Sequence, residues 1–108
     1  MRLLIVALGI ALSAGCASPL YDWGSYENSL WKMYGDGYSP GDDLRALTAE
    51  VERTVEQGRK VPPGKFAHLG YLHFLQGDAE SARVCFLQER ELYPESACFI
   101  ELMLGRMP

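Results

Sequence analysis

Residues 66–94, FAHLGYLHFLQGDAESARVCFLQERELYP, decide the fold. Apolar and aromatic residues recur here at three- and four-residue intervals on both sides of Gly77-Asp78. That spacing predicts two helices, 65–76 and 79–93, doubled back on each other. Gly70 and Ala82 are small where the two helices must approach, while Leu69 and Phe86 fill the space between them. Gly77-Asp78 supplies the tight turn. Pro94 ends the second helix, because proline lacks an amide donor and biases the residue before it away from helical geometry.

Upstream, Pro62-Pro63-Gly64 is a rigid connector, and before it Leu44, Leu47, Val51 and Val55 mark the buried face of another helix. That helix is expected to start near Asp42 or Asp43, whose charges suit an N-terminus, and to stop at Gly58. Arg45, Glu52, Arg53 and Glu56 form its solvated side. Further back, Trp23, Tyr26, Leu30, Met33 and Tyr34 recur at helical spacing, until Gly35, Gly37, Pro40 and Gly41 break the pattern. Downstream, Ser96 is placed to cap a last helix whose apolar face is Phe99, Ile100, Met103 and Leu104. No strand-like alternation interrupts this series. The expected fold is all-α, about five helices in one domain over 23–108.

The arrangement Phe66-x2-Leu69-Gly70-x2-His73, Gly77-Asp78, Ala82-x3-Phe86, Pro94 resembles the tetratricopeptide repeat in spacing. Phe66 stands where tryptophan is common and His73 where tyrosine is common. Glu89 stands where a small residue usually packs, so its carboxylate either tilts into solvent or marks a polar seam facing a ligand or protein. A single repeat cannot bury its own face. The resemblance therefore implies that the flanking helices complete a short tetratricopeptide-like solenoid.

The N-terminus has a different composition. Arg2 precedes an apolar run from Leu3 to Leu12, followed by Ser13, Ala14 and Gly15, the layout of a secretory signal. The run is about half of the roughly 20 residues that a membrane-spanning helix needs. Ala14-Gly15-Cys16 resembles a bacterial lipobox, with Ser13 where leucine is most frequent. That resemblance implies a signal peptide over 1–15, acylation of Cys16, and a short tether over 16–22 containing Pro19. Ala17 stands where an aspartate would retain a Gram-negative lipoprotein in the inner membrane, so the expected location is the outer membrane, facing the periplasm. In such an oxidising compartment Cys85 and Cys98 are either bridged across a helix–helix turn or buried as free thiols.

Ten basic against fourteen acidic side chains give a formal net charge of −4. This argues against nucleic acid and anionic headgroups as direct partners, so membrane attachment falls to the acyl chains on Cys16. His68 and His73 lie five apart, about 140° around a helix of roughly 3.6 residues per turn, which suits no metal pair. Gly35, Gly37 and Gly41 lack the lysine and hydroxyl of a phosphate-binding loop. No cofactor motif is present. Glu89, Glu95 and Glu101 are the only clustered acids near the repeat and make a weak case for hydrolysis, so no enzyme is expected. Trp23, Tyr26, Trp31 and Tyr34 cannot all face one core. Trp23, Trp31 and Tyr34, with Glu89, are the candidates for partner binding.

Tyr21-x-Trp23-Gly24-x-Tyr26-Glu27, Pro62-Pro63-Gly64, Ala67-His68-Leu69-Gly70-Tyr71, Gly77-Asp78 and Pro94-Glu95-Ser96 with Phe99 together resemble a family of small bacterial lipoproteins, a domain of unknown function. Members of that family are typically encoded beside a lipoprotein resembling the curli channel CsgG. This implies an adaptor or accessory subunit for an envelope protein assembly, with a CsgG-like secretion complex as partner. The alternative is a structural cell-envelope lipoprotein with no dedicated protein partner.

Overall fold

A computed structural model describes residues 20, 21 and 23–108. The signal segment 1–15, Cys16 and the tether apart from Leu20 and Tyr21 lie outside the described residues. The order is α1 (Tyr26–Lys32), α2 (Pro40–Glu56), α3 (Lys65–Leu75), α4 (Ala79–Leu92), a 3-10 turn (Pro94–Ser96) and α5 (Ala97–Gly105). No strand occurs among the described residues, and the fold is all-α.

The central unit is the α3–α4 hairpin. Gly77, at φ +79°, makes the turn in a backbone region that side chains with a Cβ rarely enter. The Asp78 side chain then accepts the Ser81 amide at 3.0 Å and caps α4. A Cβ on Gly70 would lie 2.8 Å from Cε1 of Phe86 and 3.1 Å from the Ala82 carbonyl oxygen, so the α3 backbone at Gly70 rests directly on the Phe86 ring and the α4 backbone. Two apolar clusters flank this contact. Leu47 and Val51 of α2 pack with Val61 and with Leu69 and Leu72 of α3. Ala82 and Phe86 of α4 pack with Ile100 of α5. Burying a side chain such as Phe86 completely contributes about 1.5–3 kcal/mol.

Several local expectations needed correction. Helix α2 starts at Pro40, ahead of the expected aspartates, because Ser39 accepts the Asp42 amide and Pro40 enters the first turn, where its missing amide costs nothing. Its buried stripe is Leu47, Val51 and Thr54, whereas Val55 is exposed. One residue beyond Thr54 is a turn of about 100° around the helix, enough to carry Val55 out of the seam. Ser96 does not cap α5; its hydroxyl donates to the Tyr93 carbonyl at 2.7 Å. Phe99, expected in the core, is 52% exposed.

Helix α1 is held differently. Of its side chains only Ser29 is buried. The Glu50 carboxylate accepts the Ser25 amide and hydroxyl, and the fully buried Lys65 ammonium lies 3.3 Å from Glu50 while donating to the Trp23 carbonyl. Burial pushes the Glu50 carboxyl up, but the Ser25 hydrogen bonds and Lys65 outweigh it and hold it below its ordinary 4.5. With a lowered folded-state value, the stability from Glu50 is complete above 4.5 and is lost as pH falls through that lower value. Acid titration followed by tryptophan fluorescence should therefore show a change near Trp23 before helical circular dichroism is lost. Glu50→Gln should show the loosened signal already at pH 7, weakening this docking by about 1–2 kcal/mol. A Glu50→Gln titration that overlays the wild type would discard this account.

Candidate functional site

Helices α1, α3 and α5 border an open groove of about 760 Å³. Leu30 of α1, with Met33 and Tyr34 just beyond it, makes one wall. Ser96, Phe99 and Met103 make the other. The floor is Ala67, His68 and Tyr71 of α3 with Phe86 and Glu89 of α4. Its surface is mainly apolar and aromatic, and Tyr34, 88% exposed, stands at its edge.

Glu89 does not tilt into solvent. It is 2% exposed, and its carboxylate accepts the Gly64 amide at 2.6 Å and the Ala67 amide at 3.4 Å. The side chain of α4 thus caps the N-terminus of α3, where unpaired amides and the helix dipole favour a negative charge. Gly64, at φ +88°, has no side chain to perform that task. Burial raises the Glu89 carboxyl above its ordinary value against the pull of these amides, and Glu95 adds to the rise.

Below the groove lies a Ser, His and Asp constellation. Ser29 Oγ donates to Asp43 Oδ2 at 2.5 Å and lies 3.0 Å from His68 Nε2, while Tyr38 also donates to Asp43 at 2.9 Å. Tyr26 packs edge-on against the His68 ring. A nucleophilic triad needs the serine proton directed at the histidine and the carboxylate on the other ring nitrogen. Here the serine proton goes to the carboxylate, and both Ser29 and Asp43 face the same His68 nitrogen. All three side chains are buried. This geometry fastens α1 to α2 and α3 and does not arm Ser29. Burial lowers the His68 value, against the opposing effect of Asp43.

The sequence-derived candidates are dispersed. Tyr34 and Glu89 line the groove, whereas Trp23 and Trp31 do not. Trp23, 46% exposed, stacks on Tyr26 and meets Tyr21 edge-on; Trp31 is 70% exposed. Cys85 is half-buried against the α2–α3 cluster and Cys98 is exposed on α5, both as free thiols. The bridge is therefore not formed, and the alternative of two buried thiols fails at Cys98, which faces solvent. His73 lies 3.8 Å from Asp78 and is partly exposed. No group of His, Cys, Asp and Glu suited to a metal occurs among the described residues. No described helix is long and apolar enough to cross a membrane. Sequence reasoning missed the groove roles of Tyr71 and Phe99, since each fits a core position equally well by spacing. Ser29 and His68 are 39 residues apart, so no local signal joins them.

The family model for a domain of unknown function, DUF4810, matches residues 20–103, nearly all of the described chain. The chain belongs to this family. No curated protein and no solved structure matches it. The DUF4810 match spans the first four helices, most of α5, both groove walls and Glu89.

Proposed function

We propose that this DUF4810 protein is a lipoprotein, acylated at Cys16, that acts as an adaptor or accessory subunit of an envelope protein assembly, at the outer membrane facing the periplasm. The observation that carries the reading is the aromatic groove between α1, α3 and α5, with Tyr34 and Phe99 exposed at its walls. Surfaces of this kind gain binding energy from a few large aromatic side chains that a partner desolvates. The tetratricopeptide-like reading is supported by the Gly70–Phe86 contact and the turn at Gly77. The partner that the family resemblance suggests is a CsgG-like lipoprotein. No catalytic role is proposed, because Ser29 is buried with its proton committed to Asp43.

The test is affinity purification of the tagged protein from gently solubilised, briefly crosslinked envelopes, with partners identified by mass spectrometry. A stoichiometric envelope partner is expected, reduced at least fivefold by Tyr34→Ala, an exposed truncation that leaves the core intact. Trp31→Ala tests whether the contact extends beyond the groove. Cys16→Ala should move the protein to the soluble fraction. Recovery of only abundant envelope proteins, equally with every variant, would replace the adaptor reading with that of a structural lipoprotein.

A further inference from the structure

Three properties of the groove restrict what fills it. Its walls offer large apolar and aromatic surface but few hydrogen-bonding groups. An extended segment laid there would leave much of its backbone unpaired, at a cost for every buried amide, whereas a helix satisfies its own. The groove runs between helices already, and helices pack on helices at side-chain separation.

The second property is charge. Among the described residues that line the groove, the carboxylates are Glu89 and Glu95, and no lysine or arginine joins them. Glu89 is buried and holds the Gly64 and Ala67 amides, so Glu95 is the exposed carboxylate of the groove, with Tyr26, Tyr71 and Tyr93 also in its lining. Burial and the neighbouring Glu89 raise the Tyr26 phenol, and burial, Tyr21, Glu89 and Glu95 push Tyr93 up to about 12. The third property is that Glu89 already occupies the α3 N-terminus, so that end of the helix does not offer its amides to an incoming anion.

The geometry points to an amphipathic helix of a partner protein whose apolar stripe carries one lysine or arginine, the stripe seated between Tyr34 and Phe99 and the cation placed beside the exposed Glu95. The apolar part of the stripe supplies contact area. The cation supplies selection, because it meets the Glu95 carboxylate in a groove that brings no lysine or arginine of its own, where an acidic stripe would be repelled and a purely apolar one would gain nothing. The inference rests on the adaptor reading and names the chemistry of the partner's contact segment.

The probe is a fluorescein-labelled, stapled 14-residue amphipathic helix with leucine and phenylalanine along its stripe and either lysine or norleucine at the central stripe position. Binding to the full mature chain is measured by anisotropy in low salt and in about 0.3 M salt. The lysine helix is expected to bind about fivefold more tightly than the norleucine helix in low salt, with the gap narrowing as salt screens it. Glu95→Gln should shrink the preference, and Tyr34→Ala should weaken both helices. Equal or tighter binding of the norleucine helix overturns the inference. So does a lysine preference unaltered in Glu95→Gln, or binding indifferent to Tyr34→Ala. A stoichiometric partner recovered from envelopes with no lysine preference in the probes would sink this inference and leave the adaptor reading standing. Lysine-selective binding with no recoverable partner would do the reverse.

Discussion

Gly70→Val is expected to lower the melting temperature by about 12–24 °C, equivalent to about 3 kcal/mol in a domain of this size. Even the first added carbon would meet the Phe86 ring at 2.8 Å and the Ala82 carbonyl oxygen at 3.1 Å. Phe86 is fully buried and packed with Ala82 and Ile100, so relieving the clash means giving up that packing and pushing the ring toward the groove. Overfilling a packed core costs typically 1–3 kcal/mol, and valine adds two methyls beyond the carbon that already clashes. Gly70→Ala is milder, since replacing a helical glycine by alanine returns up to about 1 kcal/mol of propensity. Total stability for a domain of this length is roughly 5–10 kcal/mol, so the valine variant should keep only a reduced margin. Thermal denaturation followed by circular dichroism measures both. A valine variant that melts within a few degrees of wild type would mean that α3 and α4 do not touch at Gly70.

Glu89→Ala should cost about 2–4 kcal/mol. The loss has two parts: the Gly64 and Ala67 amides lose their acceptor, and a buried space opens between α3 and α4. An orphaned buried donor costs about 1–3 kcal/mol. Glu89→Gln keeps the volume and one acceptor oxygen, and should recover about half of the loss. The two variants also separate by pH. Because burial raises the folded-state value of Glu89 above 4.5, its protonated form is the one favoured by folding. Its contribution to stability is therefore fully present below 4.5 and declines as pH rises through the folded-state value. Wild type should lose this increment between acidic and neutral pH, while Glu89→Gln, with nothing to titrate, should lack it. Urea unfolding at pH 5 and pH 7 gives the comparison. If the glutamine variant shows the same pH increment as wild type, Glu89 is not its source.

The two variants probe different halves of one arrangement. Gly70 sets how closely α3 and α4 approach, and Glu89 fixes where α3 begins. Both act on the helix that forms the floor of the groove. A loss of partner binding in either would therefore be indirect, whereas Tyr34 lies in the groove wall at 88% exposure and tests the surface itself.

Much of the helix order was legible because its signals are local. Gly77-Asp78, Pro62-Pro63-Gly64 and the three- to four-residue recurrence of apolar side chains act within one or two turns of chain, and the helices fall where those signals place them. Ser39-Pro40 was equally local and places the start of α2 ahead of the aspartates. The role of Glu89 was not legible, since a carboxylate in a helix reads as solvated until the Gly64 amide of another segment is set against it. The same holds for Lys65 with Glu50 and for Ser29 with Asp43 and His68, groups separated by 14 to 39 residues or lying on different helices. Local spacing along the chain is enough to establish that it is helical, where its turns fall and that its aromatics exceed what one core can hold. Which aromatics stay outside, and that Tyr34 and Phe99 share a groove with two carboxylates, emerges only in three dimensions, because burial and charge pairing depend on distances that spacing along the chain does not encode.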